Sequence, residues 1–147
     1  MIIREIVQED LPVLLELYTH LHDNAPPIMA EPVARLWHTI VKDENHHILV
    51  AQTDDKIVSS CVLIIVPNLT HQQRPYALVE NVVTHPQYRK RGFATQVLNF
   101  AREIAHDNRC YKMMLMTGSK EASTLHFYER AGYSSRDKTA FVQWLDG

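Results

Sequence analysis

Three cations and two small residues lie together in the segment Arg89-Lys90-Arg91-Gly92-Phe93-Ala94, between an apolar segment and an amphipathic one. The amphipathic segment predicts a helix that begins at Gly92, so this turn is expected at a helix N-terminus. A helix N-terminus presents unpaired backbone N–H groups and the positive end of the helix dipole. Because Gly92 and Ala94 leave the backbone accessible, the pattern predicts a site for a pyrophosphate group.

The same residues allow two other interpretations. The turn could be an ordinary helix start whose cations are solvated, or Arg89-Lys90-Arg91 could be a patch that binds nucleic acid. The formal net charge is −2, whereas proteins that wrap nucleic acid are usually basic. We therefore expect no nucleic-acid partner.

The composition is that of an ordinary globular protein, with 147 residues, 46% of them hydrophobic and 22% charged. This length predicts one domain over residues 1–147. Cys61 and Cys110 form no Cys-x-x-Cys pattern, so we expect two reduced thiols in a cytoplasmic protein. The histidines lack metal-ligand spacing, which predicts no metal site. The longest apolar run, 61–66, is far shorter than the roughly 20 residues of a membrane-spanning helix, so no membrane partner is expected.

Hydrophobic periodicity predicts the elements that position the turn. Strands are expected over 2–7, 47–52, 56–66, 76–84, 111–117 and 141–145. Helices are expected over 11–22, from Val33 to Val41, over 92–106 and over 121–130, with loops at 23–29 and 67–75. The order β-α-α-β-β-β-α-β-α-β predicts a single α/β (α+β) domain. Strand 76–84 is apolar on both faces, which is typical of a central strand.

Two motifs in this order carry a resemblance to a known family. Arg89-x-x-Gly92-x-Ala94 matches the cofactor motif Arg/Gln-x-x-Gly-x-Gly/Ala, and Phe127-Tyr128-Glu129-Arg130-Ala131-Gly132-Tyr133 matches aromatic-Tyr-x-x-x-Gly-aromatic. The chain therefore resembles the GCN5-related N-acetyltransferase (GNAT) superfamily over nearly its whole length, with least support over residues 23–45. The resemblance implies the acetyltransferase fold, a mixed, mostly antiparallel central sheet flanked by helices.

The resemblance also implies acetyl-CoA as co-substrate and a primary amine as acetyl acceptor. The turn would then hold the pyrophosphate through the backbone amides of Arg91, Gly92, Ala94 and Thr95, with Arg89, Lys90 and Phe93 in the same loop. The preceding strand end, Val82, Val83 and Thr84, would pair its backbone with the pantetheine arm. An N–H in that strand end would polarise the thioester carbonyl.

Two side chains are the predicted catalytic residues. Tyr128 matches the family tyrosine that protonates the departing thiolate, although it could equally be a core aromatic residue. Glu80 is the candidate base, because a carboxylate within the apolar strand 76–84 is costly unless it is paired or functional. Burial would raise the pKa of Glu80 toward a useful value, whereas a solvated or salt-bridged glutamate would have no such role. Asn81 is expected to orient a water or the substrate.

Some positions depart from the family pattern or leave the function open. Glu121 and Thr124 stand where the family often has Asn and Ala, which puts a side-chain contact with pantetheine in doubt. The resemblance implies that the acceptor side lies at residues 18–40 and 67–76. The segment Cys110-Tyr111-Lys112 is similar to glucosamine-phosphate acetyltransferases of the family, which implies an amino sugar phosphate as one candidate acceptor. The absence of a well-placed Cys or Ser nucleophile favours direct transfer in a ternary complex.

Several alternatives concern the partner rather than the fold. The chain could be a non-catalytic CoA- or nucleotide-binding regulatory module, or an acetyltransferase acting on a protein N-terminus or lysine. The module would be favoured if Glu80 and Tyr128 were both exposed and pointed away from the turn at 89–95. The apolar segment 141–145 permits a homodimer.

Overall fold

The chain folds around one five-stranded sheet, seen in a computed structural model that describes residues 1–21, 27 and 29–146. The strands are β1 (Ile2–Glu5), β2 (His46–Thr53), β3 (Lys56–Val66), β4 (Tyr76–Thr84) and β5 (Met113–Leu115). They lie in the order β1-β2-β3-β4-β5. The pairs β1–β2, β2–β3 and β3–β4 are antiparallel, and β5 pairs parallel to β4.

Helices cover both faces of this sheet. They are α1 (Leu11–Tyr18), α2 (Glu31–Lys42), the single turn α3 (Thr70–Gln73), α4 (Phe93–Asp107) and α5 (Ala122–Arg130). Short 3-10 turns precede α1 at Gln8–Asp10 and α4 at Pro86–Tyr88. The predicted fold class, an α+β domain with a mixed and mostly antiparallel sheet, is confirmed.

The alternation of side chains along the strands divides the interior into two clusters. On β2, Leu49 and Ala51 pack with α4, whereas Ile48 and Val50 pack with α1 and α2. The apolar stripe of α4 closes the first cluster with Phe93, Val97, Leu98, Ala101 and Ala105. The second cluster contains Leu11, Leu14 and Leu17 of α1 and Trp37 of α2. The indole Nε1 of Trp37 donates to the Gln8 carbonyl at 2.9 Å, which fixes α2 to the turn before α1.

The fourth strand loses one of its neighbours halfway along its length. Its pairing with β5 covers only Ala77 to Val79, while its pairing with β3 continues to Thr84. The register against β3 shifts between Ser60 and Val62, where Asn81 has a left-handed φ of 52°. The bulge and the short β5 together leave one edge of β4 from Glu80 onward without a strand in the described part of the chain. The candidate site lies at this uncovered edge of β4.

Some predicted elements differ from the observed ones. The strand expected over 141–145 is wrong: Phe141, Trp144 and Leu145 are exposed and make no strand, because a β-favouring sequence forms a strand only where another strand satisfies its backbone. The helix expected over 11–22 ends at Tyr18, and its last predicted residue lies outside the described residues, as does most of the loop 23–29.

The remaining differences are smaller. The strand expected over 111–117 is reduced to its central three residues, and the loop expected over 67–75 contains α3. The bounds of β3 and β4 are as predicted.

Candidate functional site

The turn between β4 and α4 presents its backbone at the protein surface. Lys90 and Gly92 both have left-handed backbone, with φ of 61° and 85°. Two such residues within three positions reverse the chain tightly, and Gly92 adopts this conformation without the steric cost of a Cβ. A Cβ placed on Gly92 would meet nothing within 4 Å, so the space in front of the turn is open.

The first turn of α4 supplies the donors that an anion requires. Gly92 is the N-cap of α4 and has no side chain to bond the first amides. The first amides of a helix have no acceptor within the helix, so Phe93, Ala94 and Thr95 offer N–H groups at the positive end of the dipole. Arg89, Lys90 and Arg91 are exposed beside them. The turn can therefore hold a pyrophosphate by backbone hydrogen bonds and by charge.

Two side chains of the turn stabilise its conformation. The Arg89 Nε donates to the Thr84 carbonyl at 3.2 Å, which ties the loop to the end of β4. The Arg91 guanidinium lies over the rings of Tyr88 and Phe93, at 5.0 and 5.5 Å from their centroids. The Phe93 ring is buried in the core, so of this predicted cofactor-binding residue only the backbone is available to a ligand.

The predicted pantetheine-binding residues Val82, Val83 and Thr84 lie on the part of β4 that β5 leaves uncovered. Their backbone is held on the other side by Ser59, which is fully buried. The Ser59 Oγ donates to the Val83 carbonyl at 3.0 Å and lies 2.9 Å from the Thr84 Oγ1. Sequence reasoning missed Ser59, although a serine pair inside the apolar strand β3 was a signal.

Tyr128 lies on α5 and packs half-buried against the same core cluster as Val82 and Phe93. Its ring makes edge contacts with Phe127 and Tyr133, at centroid distances of 5.0 and 6.2 Å. Burial, with a smaller contribution from Cys61, raises the pKa of Tyr128 above its ordinary value of 10.0. The hydroxyl is therefore protonated at neutral pH and is able to donate a proton.

Glu80 does not lie in the core, so the expectation that its side chain is buried is wrong. Its side chain is exposed, because β5 ends opposite Val79 and leaves this part of β4 partly uncovered. Glu80 shares a row across the sheet with Ile48 and Val62, on the face that α1 and α2 cover. Together with Asn81 it lines a cavity of about 550 Å³ between those helices and the sheet.

Cys61 faces the bulge of β4 from inside the core. Its side chain is fully buried, and burial raises the pKa of its thiol to about 12. A thiol with so high a pKa contains almost no thiolate at neutral pH and is a poor nucleophile. Cys61 therefore gives no support to a covalent acetyl-enzyme.

Two further tyrosines near Cys61 were missed by sequence reasoning. The hydroxyls of Tyr18 and Tyr133 are buried and make no hydrogen bond within the described residues. Burial raises the pKa of Tyr18 to about 12, opposed by the side chains of Asn81 and Ser60 beside it. Burial also raises the pKa of Tyr133 well above its ordinary value. Unpartnered buried hydroxyls are rare, and Tyr18 lines the cavity between α1, α2 and the sheet, so its hydroxyl is a candidate contact for a ligand.

The two positions that depart from the family pattern lie at the start of α5. The Ser119 Oγ donates to the Thr124 Oγ1 at 3.1 Å and accepts the Glu121 amide at 3.3 Å. Glu121 is the N-cap residue of α5, and its side chain makes no capping hydrogen bond. The hydroxyl of Thr124 is thus already engaged with its own chain.

Within 1–21, 27 and 29–146, no group of three or more His, Cys, Asp or Glu side chains is arranged to hold a metal ion. Among the helices of these same residues, none has the length and apolar character needed to span a membrane.

Comparisons with known proteins agree with this geometry. The model of the acetyltransferase (GNAT) family matches residues 11–133. A glucosamine 6-phosphate N-acetyltransferase of Trypanosoma brucei brucei is 30% identical over an alignment of length 141, which covers 92% of this chain and 90% of that protein. A solved structure of a candidate acetyltransferase from Agrobacterium tumefaciens is 35% identical with a TM-score of 0.90, covering 98% of this chain and 100% of that one.

A plant structure extends the likeness in fold. The glucosamine-6-phosphate N-acetyltransferase of Arabidopsis thaliana has a TM-score of 0.86, covering 99% of this chain and 98% of that one. At 21% identity this likeness concerns the fold alone.

Proposed function

The chain belongs to the GNAT family of N-acetyltransferases, and on that premise we propose that it moves the acetyl group of acetyl-CoA directly to the primary amine of a small molecule. Both substrates would be bound at once, in a ternary complex. The observation that carries the proposal is the juxtaposition of an exposed cationic helix start with the uncovered edge of β4. The helix start would hold the pyrophosphate, and the edge of β4 would offer backbone groups to the extended pantetheine arm.

Different groups of residues would bind the successive parts of acetyl-CoA. The amides of Gly92, Ala94 and Thr95 would hold the pyrophosphate, with the exposed cations Arg89 and Lys90 beside it. Val82 to Thr84 would pair with the pantetheine arm as an added strand. An N–H of this strand end would donate to the thioester carbonyl oxygen and stabilise the charge that develops there.

The transfer step is balanced by two proton movements. The amine nitrogen forms a bond to the thioester carbonyl carbon, and the carbon–sulfur bond breaks. Tyr128 would donate its proton to the departing thiolate, which leaves as the CoA thiol. Starting from an ammonium ion, the nitrogen loses two protons. One replaces the proton of Tyr128, and the other passes to solvent.

Glu80 would assist this loss of protons from the nitrogen. Its carboxylate lines the cavity next to Asn81, at the point where β4 becomes uncovered. An exposed carboxylate is a weak base, so its contribution would be to attract the ammonium ion and pass a proton to solvent, directly or through a water. The same side chain would therefore affect the KM for the amine more than kcat.

Other sequence expectations remain predictions. The similarity to the trypanosome enzyme supports an amino sugar phosphate as one candidate acceptor. A single domain over residues 1–147, a homodimer and a cytoplasmic location stay predictions. The alternative of a non-catalytic module would be favoured if Glu80 and Tyr128 were both exposed, and Tyr128 is half-buried.

Two measurements test the proposed function. Isothermal titration of acetyl-CoA into the protein should show one site per chain, and CoA thiol should be released when a panel of primary amines is added. The Gly92→Val variant should weaken acetyl-CoA binding. Failure of the wild-type protein to bind acetyl-CoA at millimolar concentration would overturn the proposal.

A further inference from the structure

The cavity between α1, α2 and the sheet has a distinctive chemical composition. Its volume of about 550 Å³ lies within the range of small-molecule sites. Most of its wall is apolar side chain from both helices and the sheet, including Leu14, Leu15, Trp37, Ile48 and Val62. A ligand that fills it must therefore present an apolar body to most of this wall.

Three polar side chains of the wall, Tyr18, Glu80 and Asn81, lie together, whereas His46 lies apart from Glu80 on β2. Glu80 and Asn81 are consecutive residues of β4 at the bulge. The Tyr18 hydroxyl lies beside the Asn81 side chain and makes no hydrogen bond within the described residues. A carboxylate and an unused hydroxyl thus lie together at the end of the cavity nearest the uncovered edge of β4.

The charge at this end suits a cation and opposes an anion. Among the described residues that line the cavity, none is Arg or Lys. The ionisable groups of this described lining are Glu80, Tyr18 and His46, and burial lowers the pKa of His46, which favours the neutral ring. A phosphate placed beside Glu80 would meet a like charge with no Arg or Lys of the described lining to offset it, which is unfavourable.

The basic side chains of the site lie elsewhere. Arg89, Lys90 and Arg91 are on the turn before α4, where the proposed function uses them for the pyrophosphate. Arg74 donates to the carbonyls of Arg109 and Cys110, at 3.0 and 3.4 Å, and is occupied there. Neither group lines the cavity, so neither can serve a phosphorylated acceptor inside it.

We infer that the acetyl acceptor is a primary amine carried on an alkyl or arylalkyl body, rather than an amino sugar phosphate. Its ammonium group lies at the Glu80 end, where the Tyr18 hydroxyl accepts one of its hydrogen bonds. Its apolar body lies against Leu14 and Trp37. This inference rests on the proposed function, because it assigns the cavity to the second substrate.

A homologous series of acceptors tests the inference. The value of kcat/KM should rise from propylamine to hexylamine by about threefold to fourfold for each added methylene, because each buries about the same apolar area. 2-Phenylethylamine should be a good acceptor and glucosamine 6-phosphate a poor one. A flat or falling series, or glucosamine 6-phosphate as the best acceptor, would overturn the inference.

A charged variant at the rim tests the same cavity without disturbing the core. Leu36 lines the cavity yet is 60% exposed, so Leu36→Lys should fold normally. It should lower kcat/KM for hexylamine by about tenfold, by placing a cation near the amine and removing apolar wall. Ala34→Lys is the matched control, because Ala34 is exposed on the same helix and does not line the cavity. Equal effects of the two lysines would contradict the inference.

A binding measurement separates this inference from the proposed function. Hexylamine is titrated into the protein without acetyl-CoA, and the affinity is compared with that of propylamine. Tighter binding of the longer amine without any acetyl transfer would support the assigned ligand class and overturn the proposed function. Transfer confined to glucosamine 6-phosphate would support the proposed function and overturn the assigned ligand class. If neither amine bound and no transfer occurred, both would fail.

Discussion

On one face of the sheet, α4 packs its apolar stripe into a core in which Val97, Leu98 and Ala101 are almost completely buried. On the other face, α1 and α2 leave a cavity of about 550 Å³ above Ile48 and Val62. The packed face fixes the N-terminus of α4, which must hold its amides still to bind an anion. The hollow face leaves room for a second molecule next to Glu80. Under the proposed function, each face would bind one of the two substrates.

The largest expected effect concerns the packing of the two faces. Leu98→Ala should lower the free energy of unfolding by about 3 kcal/mol, because it opens a cavity in a filled core. Leu15→Ala should cost about 1 kcal/mol, because Leu15 is half-buried and already borders empty space. Urea unfolding of both variants measures this difference. Equal losses would contradict the contrast between the faces.

The next effect separates catalysis from packing on the α5 side. Tyr128→Phe should reduce kcat by about 100-fold with little change in acetyl-CoA affinity, since it removes a proton donor but keeps the ring. Tyr133→Phe is the control, because it removes a buried hydroxyl that has no hydrogen-bond partner among the described residues and should leave kcat within about twofold. If both variants retained wild-type kcat, the donor role of Tyr128 would be wrong.

The turn before α4 should be sensitive to one backbone conformation. Gly92→Val should weaken acetyl-CoA binding by roughly tenfold, because a β-branched residue resists the left-handed φ of 85°. Gly118→Val is the matched control, since Gly118 also has open space around it and does not have a left-handed φ. Isothermal titration gives both dissociation constants. A loss of affinity at Gly118 as large as that at Gly92 would show that the turn is not special.

Each face also buries an ionisable group near the bulge, and these groups should make the fold sensitive to alkali. Burial raises the pKa of Cys61 from 9.0 to about 12 and that of Tyr18 from 10.0 to about 12. Both folded-state pKa values exceed the unfolded ones, so the neutral forms stabilise the fold at lower pH. This contribution is lost as pH rises from about 9 to 12 for Cys61 and from about 10 to 12 for Tyr18, by about 1.4 kcal/mol per pH unit within each window.

Urea unfolding between pH 8 and 11 measures this dependence. Cys61→Ala should be less stable throughout, because it truncates a buried side chain, but its stability should fall less steeply between pH 9 and 10. The stability of the Tyr18→Phe variant should fall less steeply than that of the wild type only above pH 10. Identical slopes in the wild type and in both variants would contradict the assignment of these groups.

The parts of the fold that could be predicted are those whose signals are local. The bounds of β3 and β4 follow from continuous apolar runs, and Gly92 is the N-cap as its position before a helical stripe indicates. Gly132 has a left-handed φ of 101° just beyond the end of α5, where glycine commonly ends a helix. The predictions that were wrong concern features that depend on residues distant in the sequence. The segment 141–145 has the composition of a strand and finds no strand beside it in the described residues.

In the candidate site, too, only the local feature could be predicted. The turn before α4 could be predicted because its residues are consecutive in the sequence. The environment of Glu80 could not, because it depends on where β5 ends and on what α1 and α2 leave open. Tyr18 and Trp37 do line the cavity, as the expected acceptor segment 18–40 implied, whereas the segment 67–76 does not. Residues 22–26 and 28 of that first segment lie outside the described residues.

The most direct test of the account is an initial-rate study in which acetyl-CoA and an alkylamine are both varied. Simultaneous binding on the two faces predicts double-reciprocal lines that intersect, and a protein mass that is unchanged after incubation with acetyl-CoA alone. Parallel lines, together with a stable gain of one acetyl group on the protein, would contradict direct transfer. That result would require a nucleophile other than the buried thiol of Cys61.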